Sequence, residues 1–158
     1  MSAGQMKSDG FAQTGAPHWS HFPHGADVGL IGEGPTREAA FAACVEAMTA
    51  AICDPETIVP ARPVRIACEG GDDELLLYAF LNALVFEMAT RRMLFRRAEV
   101  TISGSGAERR RLEAVAWGEP VEPARHQPAV EVKGATMTML RVAREPDGHW
   151  QARCVIDV

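Results

Sequence analysis

Two stretches of the chain place apolar residues at helical intervals, and most of the remainder alternates. Behind Thr36, whose hydroxyl suits a helix N-cap, Phe41, Cys44, Val45, Met48 and Ile52 recur at spacings of three and four on one face. This predicts a helix from Thr36 to about Cys53, and the alanines between these positions favour helix while letting a sheet approach closely. Leu76, Phe80, Ala83, Leu84 and Glu87 keep the same period behind Gly70-Gly71-Asp72-Asp73-Glu74, predicting a second helix that ends near Arg92. Acids at a helix start accept its orphan N–H groups and oppose the dipole, a cap being worth ~1 kcal/mol, and the closing arginines suit the other end.

The strand signals are shorter. Val28-Gly29-Leu30-Ile31 reads as a brief strand entered at Asp27 and closed by Gly32-Glu33-Gly34-Pro35. Pro55, Pro60 and Pro63 enforce a loop, after which Val64 to Cys68 alternate. Ala98 to Ser103 and Arg111 to Gly118 flank a turn at Gly104-Ser105-Gly106, and Val130 to Val142 and Trp150 to Val158 flank one at Glu145-Pro146-Asp147-Gly148. The order strand, helix, strand, helix, four strands predicts an α+β fold: a mostly antiparallel or mixed β-sheet with two main helices packed on one side, in a single domain. Residues 1–17 mix Ser, Gly, Gln, Ala and Pro without periodicity and read as a disordered leader to a domain spanning 18–158.

Three local patterns invite chemistry and lose it on inspection. Gly32 and Gly34 between strand and helix suggest a dinucleotide fingerprint, but no third glycine follows and Glu33 would put a negative charge where a phosphate should sit. Ser103-Gly104-Ser105-Gly106 is a hairpin turn rather than a phosphate loop. His18, His21 and His24 recur every third residue like a metal-ligand set, yet Pro17, Pro23 and Gly25 oppose the helix that would align them, so the segment reads as a loop.

Composition narrows the class. The 158 residues, 47% hydrophobic and 23% charged, suffice for one core that needs neither disulfide nor structural metal. No apolar run nears the ~18 residues of a membrane span and the first residues lack a signal peptide's pattern, which leads to the expectation of a cytoplasmic protein. Cys44, Cys53, Cys68 and Cys154 lie far apart at apolar positions and read as buried reduced thiols. The net charge of −5 argues against a protein whose main task is gripping a nucleic-acid backbone and leads to no expectation of strong direct nucleic-acid binding. Arg91, Arg92, Arg96, Arg97, Arg109, Arg110 and Arg111 nevertheless concentrate basic charge in the middle of the chain, as a solvated helix end and hairpin or as a docking patch.

The remaining peculiarity is an echo. Asp27-Val28 recurs as Asp157-Val158, each aspartate at the edge of an apolar run. If the first and last strands lie antiparallel side by side, the two carboxylates meet at one edge of the sheet. At ~4 Å they repel by about 4 kcal/mol at an effective dielectric near 20, so the pair needs a proton or a cation. An all-oxygen set with no cysteine favours a hard divalent cation, calcium or magnesium, over zinc.

His24-Gly-Ala-Asp27-Val-Gly, Asp73-Glu-Leu-Leu-Leu-Tyr-Ala-Phe-Leu-Asn82, Gly118-Glu-Pro, His126, Val132-Lys133-Gly-Ala-Thr136 and Asp157-Val158 together resemble the archease family, in order, over about residues 21–158. The resemblance implies an accessory protein and no enzyme of its own: archeases assist RtcB-type RNA ligases in tRNA splicing and RNA repair, promoting guanylylation of the ligase and multiple turnover. It implies a metal site, calcium first and magnesium or manganese next, held by Asp27, Asp157 and the backbone or terminal oxygen of Val158. Lys133 matches the family's functional lysine, His24 is divided between turn former and site residue, and Thr138 stands where the family usually shows a histidine. Two readings from other classes stand beside it: a stand-alone metal-dependent phosphohydrolase using the same carboxylates, for which the sequence offers no evident nucleophile or general base, and a general chaperone or binding module, whose client binding would be indifferent to the acidic site.

Overall fold

A computed structural model describes residues 16–158. Most of the expected leader, residues 1–15, lies outside the described residues. The chain then runs β1 (His18–His24), β2 (Asp27–Gly34), α1 (Arg37–Ile52), a single 3-10 turn (Pro55–Thr57), β3 (Arg62–Gly70), α2 (Asp73–Arg91), β4 (Met93–Ser103), β5 (Arg110–Pro120), a short α3 (Pro123–His126), β6 (Gly134–Ala135), β7 (Arg141–Arg144) and β8 (Trp150–Asp157). The α+β class is as the sequence predicts, with all strand pairs antiparallel. The expected sheet is two sheets: β3-β5-β4, and a five-stranded one in the order β1-β2-β8-β6 with β7 also paired to β8.

The helix starts follow the caps. The Thr36 hydroxyl accepts the Ala39 N–H at 3.0 Å and the Asp72 carboxylate the Leu75 N–H at 2.8 Å. Helix α1 is more central than one apolar stripe implies, because Ala40, Ala43 and Ala47 are buried along with Phe41, Cys44, Val45, Met48 and Ile52. A helix covered nearly all round is a core helix; α1 packs on β2 and β8 of one sheet and on β4 of the other, and α2 likewise touches both sheets.

That central position explains why β2 continues to Gly34 where the glycines led us to expect an end. A Cβ on Gly32 would lie 2.3 Å from the Ala40 carbonyl oxygen and 2.7 Å from the Cys44 nitrogen, so glycine here lets α1 lie directly on the strand. Gly118 does comparable work in β5. A Cβ there would sit 1.9 Å from the Leu94 oxygen, where β4 bulges between Phe95 and Arg97.

Two further expectations change. His18 to His24 form an edge strand rather than a loop, Pro23 being tolerated because β1 is at the sheet's rim. The expected long strand from Val130 to Val142 is two short ones, because the chain detours at 136–140, where Met139 turns left-handed at φ 54. The gap stays bound to β8: the Thr136 N–H and hydroxyl both donate to the Val155 oxygen, and the Val155 N–H donates to the Thr138 oxygen. The four cysteines are free thiols, with Cys44 and Cys154 buried and Cys53 and Cys68 half-buried. Burial pushes the Cys68 and Cys154 thiols up to about 11, which keeps them protonated at neutral pH.

Candidate functional site

The β1-β2 hairpin turns on Gly25-Ala26, with Gly25 at φ 60, the first central position at which a two-residue hairpin of this kind needs glycine. The turn sets His24 opposite Asp27. Val28 pairs with Ile156, so one step further along the same register Asp27 is level with Asp157. Asp157 in turn pairs with Gly134, and its carbonyl oxygen accepts the Lys133 N–H at 2.8 Å. The echo noted in the sequence is thus a row across four strands, with His24, Asp27 and Asp157 on one face and Lys133 beside it. Side chains opposite one another in such a ladder have Cβ atoms about 5 Å apart.

Local packing fixes that row. Phe22 lies across Gly29, where an added Cβ would be 2.3 Å from three ring atoms, so Gly29 is what lets the ring cover the face next to Asp27. At the other rim Asn82 of α2 acts as a missing strand. Its carbonyl accepts the Ala135 N–H at 3.0 Å and its amide donates to the Ala135 oxygen at 3.3 Å, which closes the free edge of β6. Val158 packs against the core, which holds the end of β8 in place.

Asp157, Lys133 and His24 are exposed and Asp27 half-buried, and none of the four side chains makes a hydrogen bond or ion pair with a described residue. Among the described residues no three His, Cys, Asp or Glu side chains come together closely enough to hold a metal ion by themselves. The side chains therefore offer two carboxylates, and further oxygens have to come from the main chain, Val158 or water. This donor set fits a hard cation that accepts carbonyls and water, and does not fit zinc.

The other residues singled out in the sequence go elsewhere. Asp73 accepts from Arg37 at 2.9 Å and Arg110 at 2.8 Å, and Glu74 accepts the Val142 N–H at 3.0 Å, so the acidic run after Gly71 is structural. His126 is buried: its Nδ1 accepts the Glu122 N–H at 2.8 Å, which leaves Nε2 to donate to Glu119 at 2.9 Å. Arg125 holds the Glu119 carboxyl at about 2, well below the usual range, with the Val59 N–H and His126 assisting against partial burial. Thr138 supplies its backbone to β8 and its own N–H to the Thr136 hydroxyl at 3.2 Å. Much of the arginine cluster is paired: Arg91 with Glu87, Arg96 with Glu46 and Glu56, Arg97 with Glu99, and Arg109 and Arg111 with Glu69.

Sequence reasoning missed a second polar cluster. At the far end of β2 and β8, His149 Nε2 meets Glu33 at 2.7 Å, its Nδ1 meets Asp147, and His18 lies 3.3 Å from the other oxygen of Glu33. Burial opposes charge on the His149 ring, but the hydrogen bonds and charges of Asp147 and Glu33 outweigh it and raise its pKa. The available signal was the alternation of β2, which puts Glu33 on the same face as Asp27.

Comparisons with known proteins identify the family. The sequence model of the archease protein family matches residues 19–158. Protein archease of Pyrococcus furiosus is 35% identical over 140 residues, covering 89% of this chain and 98% of that protein. Protein archease of the fish Ictalurus punctatus is 32% identical over 124 residues, covering 78% and 76%. The solution structure of Methanobacterium thermoautotrophicum protein 1598 shares the fold at a TM-score of 0.73, with 24% identity and coverage of 89% and 98%. The name shared by these sequence relatives carries no reaction. No described helix is long and apolar enough to cross a membrane. With its sequence matched almost from end to end and its fold shared, this chain belongs to the archease family.

Proposed function

We propose that the chain is a non-enzymatic accessory protein of an RtcB-type RNA ligase, acting in the cytoplasm in tRNA splicing or RNA repair. It promotes guanylylation of the ligase and its multiple turnover. The observation that carries this reading is the row of Asp27 and Asp157, in register and without partners, next to Lys133, in a chain of the archease family.

Asp27, Asp157 and an oxygen of Val158 would hold the divalent cation, calcium in the first instance and magnesium or manganese as alternatives. When bound, the cation supplies positive charge that polarises phosphate oxygens and neutralises the acids. The protein's own part is positional. The Gly25-Ala26 turn and the end of β8 project the carboxylates from a rigid sheet, and the exposed Lys133 ammonium adds a charge that can meet phosphate. His24, at the base of the turn, faces the same row.

The test is ligase guanylylation under multiple turnover with Asp27→Ala, Asp157→Ala or Lys133→Ala protein. We expect stimulation to fall at least tenfold with each, while the variants keep their fold by circular dichroism. Undiminished stimulation by both aspartate variants would sink the metal-tip mechanism.

A further inference from the structure

Lys133 stands at the thinnest part of its sheet. The strand it enters, β6, is two residues long, and among the described residues it pairs with β8 alone, Gly134 opposite Asp157 and Ala135 opposite Ile156. One main-chain bond ties Lys133 itself to β8, from its N–H to the Asp157 oxygen at 2.8 Å. So short a rim strand opens easily unless something outside the ladder holds it.

Asn82 of α2 supplies that hold. Its Oδ1 accepts the Ala135 N–H at 3.0 Å and its Nδ2 donates to the Ala135 oxygen at 3.3 Å, so both polar groups of one peptide position go to one side chain. Nδ2 also donates to the Tyr78 oxygen one turn back on the helix, at 3.1 Å, which fixes the plane of the amide. Asparagine is a weak helix former, and residues 75–86 around it are apolar but for the Tyr78 hydroxyl, so α2 gains nothing from having it there. The strand is shaped to meet it. Gly134 has no left-handed φ, yet a Cβ on it would lie 3.1 Å from Asn82 Oδ1, so glycine lets the strand come this close. Lys133 lies between buried Val132 and the clamped Ala135, so its backbone is fixed while its side chain stays exposed.

We infer that Asn82 is a positioning residue of the tip: its amide, carried on the core helix α2, holds the Lys133 strand against the Asp157 end of β8. This rests on the part proposed above for Lys133 and adds that its ammonium is aimed from α2, not from the β1-β2 turn. The carboxylates do not need the clamp, because the β2-β8 ladder alone brings Asp27 and Asp157 level. A leucine at position 82 would match the asparagine in shape and serve the helix better, but would offer Ala135 neither donor nor acceptor. A residue needed only by the helix would tolerate that change.

Asn82→Leu removes the clamp and keeps the helix, and Gly134→Ala presses on the same contact from the strand side. Amide hydrogen exchange in the full chain, read by NMR, should show protection of Lys133 and Ala135 falling roughly tenfold further than that of Leu30 and Cys154 in the β2-β8 ladder, in both variants. Stimulation of ligase guanylylation should fall about as far with Asn82→Leu as with Lys133→Ala, and the double variant should fall no further, as expected of two residues acting through one group. Calcium affinity should be kept by Asn82→Leu. Unchanged protection at Lys133, an equal loss at Leu30 and Cys154, or full stimulation by Asn82→Leu where Lys133→Ala has lost it each overturns the inference. Local loss of protection together with stimulation that Lys133→Ala also leaves intact would sink the part proposed for Lys133 and leave the clamp standing.

Discussion

Acids gather at both ends of the paired strands β2 and β8, and the two ends treat them in opposite ways. At one end Asp27 and Asp157 are level, side by side and without partners. At the other, Glu33 and Asp147 converge on His149, with His18 on the remaining oxygen of Glu33. The backbone frame is the same, so the difference lies in what the neighbouring turns supply. The Gly25-Ala26 turn brings no counter-charge, whereas the β7-β8 turn carries the histidine that joins its Asp147 to Glu33 of β2. A charge cluster balanced from within serves the fold; one left unbalanced on a rigid edge is available to something from outside.

The largest effect belongs to the unbalanced end. Asp27→Ala or Asp157→Ala should weaken calcium binding by on the order of 100-fold, about 3 kcal/mol for the loss of one close opposite charge at an effective dielectric near 20. In chelator the same variants should be as stable as the parent or slightly more so, because like charges have been separated. Calorimetric titration and thermal melts with and without calcium check both halves. A variant that loses stability in chelator while keeping its calcium affinity would make this end resemble the other.

A smaller effect is expected at the end of β5, where the polar groups are satisfied. His126→Ala leaves the Glu122 N–H without its buried acceptor and removes one donor to Glu119, a cost of about 1–3 kcal/mol. Urea midpoints should show that loss with calcium affinity unchanged. Glu119→Gln separates the pH dependence. A carboxyl lowered to about 2 contributes stability that is present above its ordinary value near 4.5 and lost as pH falls through about 2. The variant should lose that part of the acid transition, and an acid profile superimposable on the parent's would show that the Arg125 contact does not matter to folding.

How far the sequence disclosed all this follows from the range of each cause. The caps at Thr36 and Asp72 are local, acting over three residues, and were read correctly. Asp27 and Asp157 were legible because register in an antiparallel pair carries from one end of a strand to the other. Gly32 was misread as a strand end because its reason is the Ala40 carbonyl on another element, and no local pattern shows a helix pressing on a strand. The break after Ala135 was hidden for a similar cause: Thr136 and Thr138 bind Val155 from outside a regular ladder, where alternation alone suggests a continuous strand. His126 belongs to the matched pattern yet is buried, because a motif marks that a residue matters without showing which way it faces.

The finest discrimination comes from pH at the balanced end. His149 gains Asp147 and Glu33 on folding, and its pKa is raised despite burial. Its contribution is therefore fully present below the ordinary histidine value near 6.5 and is lost as pH rises through the higher folded value. Part of the cluster is exposed, so the effect should stay under about 1 kcal/mol. His149→Asn should flatten the decline of urea midpoint with rising pH while leaving calcium affinity untouched. Parallel pH profiles for the two proteins would mean that Glu33 and Asp147 do not depend on His149, and the two ends of β2 and β8 would then differ in geometry alone.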